Sequence, residues 1–234
     1  MFLLADFAEM SGFPAYCGNV QLENTTSWRA RWSSETEIDV ALFIRDALAL
    51  SVSEGQVLPP VEPQVPVHIP PEVDRAVVQA QWADWWNDLL SFLRGRDDPD
   101  PRSPRNRYGR PALAHDSAMR QAIEYFTPVA ARHFANARGP ALRGAGVPSG
   151  GTPWAPGFYR RQIVAGERLG QLVREAEVRQ GRRAYPFRLN VIEISVAGSI
   201  CLRTAEDQLL VSSRFAEDGP GLEAKLREVI TELV

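Results

Sequence analysis

Apolar residues recur along this chain at two spacings. The longest helical stripe is Val78, Trp82, Trp85, Leu89 and Leu93, at i+3 and i+4 steps, and it predicts a core helix over residues 72–94 with Pro71 near its start. Trp86, Leu90 and Phe92 widen the apolar arc, so this helix is either central or meets a second surface. Trp82, Trp85 and Trp86 could anchor a partner, but the indoles share the stripe with aliphatic residues, which favours core packing. Near the N-terminus, Trp28, Ala30 and Trp32 alternate with Arg29 and Arg31 as a half-buried strand does. Ser34 and Glu37 have capping-box spacing and predict a helix through Ile38, Leu42 and Ala49 to about Leu50. Ile38, Val40, Leu42 and Ile44 also alternate, so a strand competes for that stretch.

The second half repeats both patterns. Asp116 or Ser117 caps a helix to Phe126, and Thr127-Pro128 reads as a fresh start, which predicts two short helices joined by a kink and ending near Gly139. Residues 158–180 return to helix, with Ile163, Leu169, Leu172, Val173 and Ala176 on one side. Phe187, Leu189 and Val191, then Ile192, Ile194 and Val196 after an offset, predict a strand carrying a bulge. Residues 199–204 and 208–213 supply two more strands across short turns, hence an antiparallel three-stranded meander. After Gly219-Pro220-Gly221, Leu222, Leu226, Ile230 and Leu233 form a last helix that covers one face of the sheet. The expected fold is α+β: a mainly helical body, with a C-terminal antiparallel meander under a terminal helix.

Punctuation between these elements sets the organisation. Pro59, Pro60, Pro63, Pro66, Pro70 and Pro71 deny helix or central strand to residues 51–71 and make them an extended connector. Interleaved Val57, Val61, Val65, Val67 and Ile69 suit it to a groove of its own fold or of a partner, and two stretches formally match P-x-x-P. The chain thus divides into an N-terminal segment 1–50, the connector 51–71 and a main domain 72–234, with 1–50 able to join the main domain. Residues 95–111 and 139–157 are rich in Pro and Gly and read as long loops.

With 234 residues, 44% hydrophobic and 24% charged, the chain has the makeup of a folded globular protein. No apolar run approaches the roughly 18 residues of a membrane span. The opening Met-Phe-Leu-Leu-Ala is cut by Asp6 and Glu9 and has no basic residue, so a cytoplasmic chain is expected. Cys17 and Cys201 stand alone and suit neither a disulfide framework nor a zinc site. Lys225 is the sole lysine; the arginine bias fits a GC-rich bacterial genome.

The net charge of −3 conceals a strong segregation. Residues 101–190 hold sixteen arginines against five acids, whereas the segments on either side are all net acidic. Guanidinium groups bind carboxylate and phosphate through charge-assisted hydrogen bonds, so the basic middle is a candidate docking surface. The competing reading pairs it with the acidic flanks of the same chain or of a second copy. Within the basic middle, Arg102, Arg105, Arg107 and Arg110 surround Tyr108; Arg160 and Arg161 adjoin Trp154 and Tyr159; Arg182, Arg183 and Arg188 flank Tyr185 and Phe187.

No catalytic constellation emerges. His115 with Asp116 and His133 could hold a metal only if folding gathered them, and Asp97, Asp98 and Asp100 read as a solvated run. The glycines at 144–146 and 150–151 lack the partners of a nucleotide-binding loop. No metal or cofactor is indicated. The chain reads as a non-catalytic bacterial interaction protein (an assembly subunit, adaptor or neutralising partner). It would dock an acidic protein surface, or a second copy, through Arg102, Arg105, Arg107, Tyr108, Arg110, Trp154, Tyr159, Arg160, Arg161, Arg182 and Arg183. A nucleic-acid or phosphate binder using the same clusters is the alternative, and an enzyme with dispersed catalytic residues is a third; no membrane partner is expected.

Overall fold

The computed structural model describes residues 18–20, 28–52, 58–95, 117–143 and 167–234, with side chains described over 28–52, 58–95, 117–135 and 168–234. Its elements are β1 (Gly18–Val20), β2 (Trp28–Ser33), α1 (Thr36–Ala47), α2 (Arg75–Gly95), α3 (Ala118–Arg143), α4 (Glu167–Gln180), β3 (Phe187–Ile194), β4 (Cys201–Ala205), β5 (Gln208–Ser212), α5 (Ser213–Glu217) and α6 (Gly219–Leu233). The architecture is α+β and mostly helical, and no helix of the described residues is long and apolar enough to cross a membrane.

The sheet departs from the expected meander. Its order is β1-β2-β3-β5-β4; β2, β3 and β5 run parallel, and the outer strands β1 and β4 run antiparallel to their neighbours. Burial gives the reason. Every residue of β5 and the last six of β3 are buried, so these apolar runs need cover on both faces and take the centre, where parallel strands sit. In β4 no residue is fully buried, and this strand takes the edge. Segment 195–200 carries the chain past the β5 position. It is held there by Ser212, whose N–H donates to the Ile200 carbonyl (2.9 Å) and whose Oγ donates to the Gly198 carbonyl (2.9 Å).

Alternation along the central strands separates two cores. Ile192, Ile194 and Leu210 face α1, α2 and α3, while Leu189, Val191, Leu209 and Val211 face α4 and α6. The offset that predicts a bulge in β3 is this two-sided burial, and the register of β3 is continuous with both neighbours. The irregularity falls instead on β4, between Arg203 and Ala205. Residues 36–47 are helix, not strand; α1 is buried on nearly all sides, so no stripe marks it. Its N-cap is Glu35, without a side-chain cap bond, in place of the expected capping box. Residues 118–143 form one helix rather than two, continuous through Pro128, and Thr127 Oγ1 donates back to the Ile123 carbonyl at 2.6 Å.

The proline connector is a strap on the fold. Leu58, Val61, Val65 and Val73 are buried in the core facing α1–α3. Arg45, itself buried, donates to the carbonyls of Leu58 (2.9 Å) and Pro59 (2.8 Å), and Asp46 accepts from Val61 N–H (2.6 Å). His133 Nε2 donates to the Pro63 carbonyl (2.9 Å), and His68 shares a hydrogen bond with the Tyr125 hydroxyl (3.0 Å). Because Val61 and Val65 point inward, neither P-x-x-P stretch is offered as an extended ligand.

Candidate docking surface

Of the eleven residues expected to dock a partner, Arg102, Arg105, Arg107, Tyr108, Arg110, Trp154, Tyr159, Arg160 and Arg161 lie outside the described residues. So do His115, Asp116, Cys17, the acidic run 97–100 and the glycines at 144–151. Arg182 and Arg183 are described, at the exit of α4.

That exit follows from a glycine. Gly181 sits at φ +68°, a left-handed conformation that favours glycine, directly after the last helical residue. Arg182 N–H donates to the Glu177 carbonyl (3.2 Å) and Gly181 N–H to the Val178 carbonyl (3.3 Å), the paired bonds of a Schellman ending. The turn throws residues 182–185 outward before β3 begins. Arg182 lies 4.9 Å from the ring centroid of Tyr185, itself 70% exposed, and Arg183 is exposed and 3.8 Å from Glu177. Glu177 Oε1 also accepts from Ala184 N–H at 2.9 Å, which fixes the turn.

The outward face of α4 continues this surface. Gln171, Arg174, Glu175, Val178 and Arg179 line a shallow open depression, and Val178 is 83% exposed in the middle of it. Sequence reasoning passed over Arg174, Val178 and Arg179; the available signal was a valine on the polar side of a helix whose apolar side was already complete. Toward the sheet, α4 is clamped to α6. Arg168 bonds Glu223 (Nε to Oε2, 3.0 Å), Arg227 reaches both Glu223 (2.9 Å) and Glu175, and Gln180 donates to the Thr231 carbonyl (2.6 Å). The hydrogen bond from Arg168, aided by Arg227 and opposed by burial, holds the Glu223 carboxyl below the usual glutamate range. Glu175 is engaged by Arg168 and Arg227 and Glu177 by Arg183, which leaves Arg174 and Arg182 to set the sign of the surface.

The basic middle and acidic flanks pair only in part. Arg168 reaches Glu223 across that divide, whereas Arg120 pairs with Glu124 four residues on, and Arg94–Asp207 and Arg214–Glu62 join one acidic flank to another. Phe187 stacks on Trp28 (centroids 6.0 Å apart) at the edge of the core and is not presented beside Tyr185.

Other polar groups form no second site. His133 is spent on Pro63 and Glu124 on Arg120, so they do not join as a catalytic pair. Among the described residues no three metal-binding side chains cluster. At the C-terminal ends of the parallel strands, where α/β sheets often hold ligands, Glu193 is buried. It accepts from Trp32 Nε1 (3.2 Å) and Ser213 Oγ (2.9 Å), which staples β2, β3 and α5 together. Comparison with known proteins finds no matching family model, no matching curated protein and no matching solved structure.

Proposed function

We propose that this chain is a non-catalytic interaction protein that docks an acidic protein surface through the outward face of α4 and the turn after it. One observation carries the reading. Val178 and Tyr185 are the two most exposed large apolar side chains among the described residues: Val178 shares its depression on α4 with Arg174 and Arg179, and Arg182 lies over the Tyr185 ring in the turn that follows. An exposed apolar centre with an arginine rim suits a partner whose own rim is acidic: the apolar contact supplies affinity, and the charges supply register and encounter rate. Arginine over tyrosine also keeps a flat, weakly hydrated surface ready for contact.

The test compares capture from a nuclease-treated lysate of the native host by the wild-type chain and by the Arg182→Glu/Arg183→Glu variant. A stoichiometric acidic protein, retained by the wild type and lost by the variant, is the expected result. Equal capture by both refutes this placement of the surface. A polyanion site would reveal itself differently, through nucleic acid in the untreated sample whose binding falls steeply with salt.

A further inference from the structure

We draw no further inference here: the strongest candidate, the exposed apolar ridge of Val67 and Ile69 on the proline strap beside Tyr125, is an unpartnered surface patch, and nothing in the structure shows what covers it.

Discussion

Trp82 and Trp85 occupy neighbouring turns of α2, are both buried, and differ in one respect. The Trp82 indole N–H donates to the Ala41 carbonyl at 3.2 Å, whereas Trp85 Nε1 is the one buried side-chain polar atom of the described residues with no hydrogen-bond partner. Replacing either by phenylalanine removes the same atoms and costs roughly 2 kcal/mol in lost transfer energy and residual cavity. At Trp82 the change also deletes a hydrogen bond worth about 1 kcal/mol, for a total near 3. At Trp85 it instead abolishes a buried orphan donor, which relieves about 1–3 kcal/mol of desolvation and brings the net change to within about 1 kcal/mol of zero. Urea denaturation followed by far-ultraviolet circular dichroism reads both variants on one scale, provided the dependence on denaturant is unchanged. Equal losses for Trp82→Phe and Trp85→Phe, or a larger loss for Trp85→Phe, would refute the reasoning.

Other consequences are open to the same assay. Helices α1 and α4 end in the same paired bonds, but the left-handed position is Ala49 (φ +48°) in one and Gly181 (φ +68°) in the other. Ala49→Gly should therefore stabilise and Gly181→Ala destabilise, each by about 1 kcal/mol, the steric cost of a Cβ in that region; shifts of the same sign would contradict this. Because the folded-state pKa of Glu223 is depressed, its stabilisation is complete above the unfolded value and is lost as pH falls through the folded one. Glu223→Gln should lower the urea midpoint at neutral pH, and the gap from wild type should close in strong acid. Desolvation raises the Cys201 thiol above its usual range, so in a Cys17→Ser background its labelling by iodoacetamide should be slow at neutral pH and accelerate in alkali; fast neutral labelling would count against that burial.

Legibility in the sequence tracked amphipathicity. α2, the described part of α4, and α6 each bury one stripe, and β2 alternates at its half-buried edge of the parallel strands, so period and burial agree there. The tryptophans of α2 share the aliphatic stripe and pack in the core. Where an element is buried all round, periodicity is ambiguous: over α1 a strand competes with the expected helix, which the structure shows, and β3 reads as a bulged strand. Pro128 marked a helix start by local rules, yet α3 runs on through it while Ala122, Phe126, Ala130 and Phe134 continue one buried stripe. On the candidate surface, the sequence singled out Arg182 and Arg183 through their charge and nearby aromatics. Val178 went unremarked, because exposure belongs to the folded surface and not to a residue type.

Taken alone, the sequence determined the existence and kind of most elements, the rigid extended character of the proline segment and the arginine-rich bias of the middle third. Local propensity, φ restriction and composition act through neighbours in the chain and need no fold to be read. Only the tertiary structure decided that β5 inserts beside β3 while β4 takes the edge, since that order depends on which strands can be covered on both faces. It also decided that the strap lies on one side of the sheet and the α4 patch on the other. That placement is set by contacts between residues more than a hundred positions distant, such as the pairing of Val61 with Val196, which no local rule along the chain can fix.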